Sequence, residues 1–132
     1  MVVVLDCNIW ISLTLNKQID FIADLSDEGI VLASCAELRN EITTVLNRPK
    51  FIKFISASDI EKVVKLHDLV TTNYNPGKVT KVTADHKDDY LFALAGKAKA
   101  DYLVTGDKLL LDIIKYKRTQ IITLARIRQV IK

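Results

Sequence analysis

Short, wholly apolar runs alternate along this chain with stretches in which apolar residues recur every three or four positions. Val2 to Leu5 is such a run, rich in β-branched residues, and predicts a strand buried on both faces of a parallel sheet. Ile9 to Leu15 and Ile19 to Leu25 carry helical spacing with Gly29 as a stop, and Ile30 to Ala33 reads as a second strand. Leu38, Ile42, Val45 and Leu46 share one face of a helix from Ala36 to Leu46, with Ser34 as its cap and Pro49 marking its end. Ile60, Val63, Val64 and Leu66 predict another helix over Ser58 to Val70. After a loop at Pro76-Gly77, Lys78 to Ala84 holds a brief extended piece, and Asp85 caps a helix reaching Lys99. Tyr102 to Thr105 is the next strand, Leu109 to Lys115 a short helix, Ile121 to Leu124 a last strand and Ala125 to Ile131 a closing helix.

Buried strands alternating with helices make this an α/β fold: a three-layer domain with a largely parallel central sheet flanked by helices. The strand order does not follow from the pattern. With 132 residues, no internal repeat and no linker-like stretch, the expectation is a single domain over 1–132. Apolar residues make up 49% and charged residues 27%, which excludes a disordered or fibrous chain. The apolar run before Asp6 is too short for a signal-peptide core, and no stretch is long enough to cross a bilayer. With only Cys7 and Cys35, read as small buried residues, a reducing cytoplasm is the expected location. The net charge of +3 is compatible with a polyanionic partner. Basic residues gather at Arg48, Lys50 and Lys53, candidates for phosphate contact, and again from Lys115 to Arg128.

The acids carry more chemistry. Sites in open α/β sheets form beyond the carboxyl ends of the strands. Asp6 follows the first strand directly, and Asp107 follows the Tyr102 to Thr105 strand after Gly106. Glu41 lies one step from the apolar stripe of its helix, and Asp88 falls in a first helical turn aimed at the same edge. Four converging carboxylates repel one another unless a cation joins them, and an all-carboxylate set favours magnesium or manganese over zinc. Such an ion lowers the pKa of a coordinated water and neutralises phosphate charge, so hydrolysis of nucleic acid is the expected chemistry.

Four segments together resemble PIN domains. Val3-Val4-Leu5-Asp6-Cys7-Asn8-Ile9 is similar to their opening strand, and Glu41 with Val45-Leu46-Asn47-Arg48-Pro49-Lys50-Phe51 to their second acidic helix. Asp85-His86-Lys87-Asp88-Asp89 before Phe92-Ala93-Leu94-Ala95 is similar to the third motif, and Ala100-Asp101-Tyr102-Leu103-Val104-Thr105-Gly106-Asp107 completes the set. The resemblance implies a Rossmann-like sheet, a carboxylate metal site at Asp6, Glu41, Asp88 and Asp107, and ribonuclease activity on single strands. Small stand-alone chains of this kind resemble VapC-type toxins, which implies an antitoxin partner and a homodimer. Cys7 stands where Thr is frequent, Lys108 where an acid often precedes paired leucines, and Thr123-Leu124-Ala125 where Thr-Pro is usual.

Each candidate has a plainer reading. Asp6, Asn8, Asp85 and Asp107 are residue types that cap helices, and first-turn acids favour the helix dipole without any function. Glu37 competes with Glu41 from one turn earlier, and Asp89 with Asp88. Asn8 is read both as a cap and as a donor near the scissile phosphate, and Thr105 as a partner of a ligand carboxylate or phosphate. Asp112 reads as a surface acid, and His67 and His86 as surface histidines. Trp10, Phe51 and Phe54 belong by default to the core, with base stacking as their functional alternative. Two rival functions remain: a magnesium-dependent receiver or phosphatase, and a non-catalytic RNA- or protein-binding module. The first needs an Asp-x-Asp after the first strand, where this chain has Asn8.

Overall fold

A computed structural model describes residues 1–84 and 86–131; the expected cap Asp85 lies outside the described residues. Strands β1 (Val2–Leu5), β2 (Val31–Ser34), β3 (Thr71–Asn73), β4 (Tyr102–Val104), β5 (Lys115–Tyr116) and β6 (Thr119–Ile122) form one sheet. Their order is β3-β2-β1-β4-β6-β5, all parallel except β5, which pairs antiparallel with β6 at one edge. The order reverses direction between β1 and β4. In sheets of this type that reversal opens a crevice at the carboxyl ends of those two strands.

Helices α1 (Cys7–Leu15) and α2 (Asp20–Asp27) join β1 to β2, and α3 (Ala36–Leu46), α4 (Pro49–Ile52) and α5 (Ala57–Val70) join β2 to β3. A 3-10 turn (His86–Asp88) and α6 (Asp89–Ala98) lead into β4; α7 (Lys108–Leu111) precedes β5, and α8 (Leu124–Val130) follows β6. Right-handed crossovers set α1 to α5 on one face of the sheet and α6 on the other. Accordingly α1 packs on α3 and α3 on α5, while α6 packs on β1, β2 and β4. The central strand is therefore covered from both sides. Val3, Val4 and Leu5 are buried, as are Leu91, Phe92, Leu94 and Ala95 of α6 and Trp10 of α1, and each buried Val, Leu or Phe side chain contributes about 1.5–3 kcal/mol.

Several local expectations change. β3 was not expected, because Thr71-Thr72-Asn73 has no apolar run; it forms through pairing with β2 at Leu32 to Ser34. The helix expected over Leu109 to Lys115 stops at Leu111, and Ile114, at φ 68°, turns the chain into β5. No strand occurs in 78–84 among the described residues, since the Val82 and Thr83 N–H groups bond the Asp89 carboxylate instead of a neighbouring strand. Cys35, not Ser34, precedes α3, and Pro49 opens α4 instead of ending α3, as its locked φ and missing N–H allow at a first helical position. The Ser58 to Val70 helix starts at Ala57 because Ser56 and Asp59 form a reciprocal capping box at 3.0 and 3.1 Å.

His67 is not a surface histidine. It is buried, with Nε2 2.6 Å from Ser34 Oγ and Nδ1 2.9 Å from Asp68 Oδ1, and Arg39 grips Asp68 through two bonds. Because Asp68 only accepts, His67 donates from Nδ1 and accepts the Ser34 hydroxyl at Nε2, which is the neutral ring. Burial favours that neutral form and lowers its pKa, against the pull of Asp68. Phe54 also departs from its default: it is 70% exposed, because the chain leaves α4 outward there.

Candidate active site

The crevice at the carboxyl ends of β1 and β4 begins with Asp6. Its backbone N–H still belongs to the sheet, donating to the Val104 carbonyl at 2.9 Å, so the side chain leaves from the last rung of the ladder. Thr105 Oγ1 donates to Asp6 Oδ2 at 2.7 Å and accepts the Asp107 N–H at 3.0 Å. One hydroxyl thus ties together the acids that follow two neighbouring strands. Asp107 Oδ1 accepts the Leu109 N–H at 2.9 Å, so this carboxylate does cap α7 while its residue lines the crevice. Asp6 is 4% exposed, and burial raises its pKa to about 6; the Thr105 bond opposes the rise, while the charges of Asp88 and Glu41 add to it.

Glu41 reaches the crevice from α3. Its Oε2 accepts the phenol of Tyr90, on α6, at 2.6 Å. Tyr90 is nearly buried and its pKa is driven upward by burial, then by the Glu41 bond. Sequence reasoning passed over Tyr90, because a tyrosine following two acids carries no spacing signal. Only the packed fold brings it to a residue 49 positions away. Cys7, buried beside the same acids, is an inert thiol whose pKa burial and the Glu41 and Asp6 charges raise.

Asp88 and its rival separate cleanly. Asp88 ends the 3-10 turn and lines the crevice. Asp89 turns away: its Oδ1 accepts the Val82 and Thr83 N–H groups and the Thr83 hydroxyl, at 3.2, 2.9 and 2.9 Å, and its Oδ2 lies 3.2 Å from Nδ1 of His86. Burial opposes its ionised form, but these bonds outweigh that and hold its carboxyl down at about 2. Asp89 therefore fastens the segment that carries Asp88. His86 is a surface histidine, with its side chain 68% exposed.

Asp6, Glu41, Asp88 and Asp107 line one cavity of about 460 Å³, together with Asn8, Arg48, Lys87 and Phe51. Asn8 does not cap α1, which starts at Cys7 after Asp6 and has no side-chain cap bond. Instead its Oδ1 accepts the Gly106 N–H at 3.4 Å, which ties α1 to the loop before Asp107. Glu37, Lys50 and Lys53 are not among the residues lining this cavity, and Lys50 and Lys53 are exposed on α4 and its end. Trp10 is core. The residues form an all-oxygen donor set, with the buried Asp6 facing like charges. Among the described residues, no three His, Cys, Asp or Glu side chains already stand as a metal cage. Oxygen donors of this kind are the chemistry that magnesium and manganese take.

A PIN-domain family profile matches residues 2–109, from the first residue of β1 to the second of α7. The chain belongs to the PIN domain family. The match takes in every acid of the cavity, and PIN domains are generally nucleases. No curated protein and no solved structure matches the chain. Beyond the matched residues, β6 pairs with β4 and β5 with β6, which extends the same sheet, and α8 follows β6. Among the described residues no helix is long and apolar enough to cross a membrane.

Proposed function

We propose that this PIN domain is a magnesium- or manganese-dependent endoribonuclease whose acids Asp6, Glu41, Asp88 and Asp107 hold the metal. The convergence of these acids from four separate elements on one cavity carries the reading. Burying a carboxylate raises its pKa and costs folding energy, and a binding scaffold gains nothing from that cost. The bound ion supplies an acidified water as nucleophile and charge neutralisation on the scissile phosphate.

The chain's own residues do the remainder. Thr105 holds Asp6 with one oxygen engaged, and Tyr90 does the same for Glu41, so each carboxylate presents a fixed edge. Asn8, anchored through Oδ1, keeps its amide N–H groups for a phosphate oxygen. Arg48, on the cavity wall, offers a cation to the substrate backbone, and Phe51 beside it offers a face for a base. Lys50 and Lys53 extend the basic surface outward.

The toxin role, with an antitoxin that covers the cavity and a homodimer as the assembly, comes from likeness to small stand-alone PIN domains. Induced expression in the host arrests growth with the wild type but not with Asp6→Asn if that role holds. The activity itself is tested by incubating labelled single-stranded RNA with both proteins, with magnesium, manganese or chelator. Cleavage that needs metal and is lost in Asp6→Asn is expected; equal cleavage by both proteins, or none by the wild type on varied RNAs, rejects the assignment.

A further inference from the structure

A second cavity of about 350 Å³ adjoins the acid site and shares Lys87, Asp88 and Asp107 with it as a common wall. Its other walls are mostly apolar: Val82, Leu109, Leu110 and Ile113. Leu110 is buried, but Leu109 stands 67% exposed at the rim. Its backbone N–H is fixed by the Asp107 carboxylate at 2.9 Å, so an apolar side chain is held out in water directly beside a site acid. Nothing in the core requires Leu109 there.

From this juxtaposition we infer that the second cavity is a nucleobase subsite, which seats one unstacked base of the single-stranded RNA next to the scissile phosphate. The inference rests on the nuclease reading and adds where the strand runs. Asp88 and Asp107 lie between two cavities, one walled by Arg48 and Phe51 and the other by Leu109 and Ile113. A phosphate over the shared wall has room for a nucleoside on either side, which is the geometry of cutting within a strand. The occupant follows from the walls. Apolar side chains suit the faces of a base, while Lys87 on the shared wall supplies the cation its phosphate requires. A paired base cannot enter without leaving its stack, so the cavity selects single strands.

The test is binding without cleavage. A fluorescein-labelled RNA oligonucleotide is titrated with wild-type protein in chelator, and a single abasic nucleotide is then moved along the strand. Leu109→Ser is titrated in parallel; its side chain is exposed, so the fold is unaffected, and a thermal melt verifies this. Leu69→Ser, at an apolar residue 82% exposed on α5, serves as control. Seating one base in an apolar pocket is expected to be worth roughly tenfold in affinity. One abasic position should weaken wild-type and Leu69→Ser binding by about that factor. Leu109→Ser should bind intact RNA about tenfold more weakly and no longer respond to that position. RNA bound with the same abasic penalty in Leu109→Ser, or with none in the wild type, overturns the subsite and leaves the nuclease reading standing. If the wild type binds no RNA, the subsite falls, and the nuclease reading is decided by the metal-dependent cleavage assay alone.

Discussion

Asp6→Asn should make the metal-free protein more stable while destroying its activity. Burial, with a contribution from Asp88 and Glu41, raises the Asp6 pKa from 3.8 to about 6. A shift of about two units corresponds to roughly 3 kcal/mol of preference for the uncharged form. An acid whose folded pKa lies above its unfolded value destabilises the fold fully above the folded value and not at all below the unfolded one. Asparagine is uncharged throughout and keeps an oxygen to accept the Thr105 hydroxyl at Oδ2's place, but adds two donors that need cavity water. The net gain at pH 7.5 should therefore be about 1–3 kcal/mol, which raises a urea midpoint by around 1 M. Chemical unfolding in chelator at pH 7.5 and pH 4 measures it. The variant should be the more stable protein at pH 7.5, with most of that gap gone at pH 4, close to the unfolded value of 3.8. Equal or lower stability of the variant at pH 7.5, or a gap at pH 4 as large as that at pH 7.5, refutes the reasoning. Manganese at a thousand times its dissociation constant should then reverse the order, since it adds about 4.1 kcal/mol to the protein that binds it.

Tyr90→Phe removes the 2.6 Å bond to Glu41 and should lower manganese affinity about tenfold, read by calorimetry, with little change in the melting curve; unchanged affinity would show that Glu41 needs no such clamp. His67 stays neutral in the fold, so its contribution is complete above the unfolded pKa of 6.5 and is lost as pH falls below it. The difference in stability between wild type and His67→Gln should therefore shrink from pH 7.5 to pH 5.5, and a constant difference would count against the buried neutral ring. Asp89→Ala should speed amide exchange at Val82 and Thr83. In the wild type that protection should hold on acidification to about pH 4 and be lost between the unfolded value of 3.8 and the Asp89 value of about 2, because the opened state takes up the proton first. Loss of protection already at pH 5 would contradict the bonding described.

What could be read in advance depended on whether a residue's role was local. Asp6 follows its β-branched strand directly and Asp107 follows β4 after Thr105 and Gly106, and strand ends in such sheets are where sites form, so their positions were legible from the pattern alone. The apolar stripe of α3 likewise placed Glu41, and the buried β1 residues read correctly as a central strand. β3 escaped because three polar residues become a strand only when β2 is already beside them. Ser34 and His67 escaped for a similar reason. A serine before a helix suits a cap, and a histidine on a helix suits solvent, but the fold points them at each other across 33 positions. Tyr90 and the second cavity depend on several elements at once, and no single stretch of chain encodes them.

The amide of Asp6 lies on the same ladder as the central strand, whereas Asp88 ends a three-residue turn and Asp107 opens a helix of four residues. The two sides of the crevice are therefore anchored in different ways. Displacing the backbone of the first acid requires opening the sheet itself, whereas Asp88 and Asp107 are held by a few bonds within short segments, from Asp89 to the Val82 and Thr83 amides and from the Asp107 amide to Thr105. A change at Asp89 therefore reaches a site acid without opening the sheet, and Asp6 is the fixed reference of the crevice.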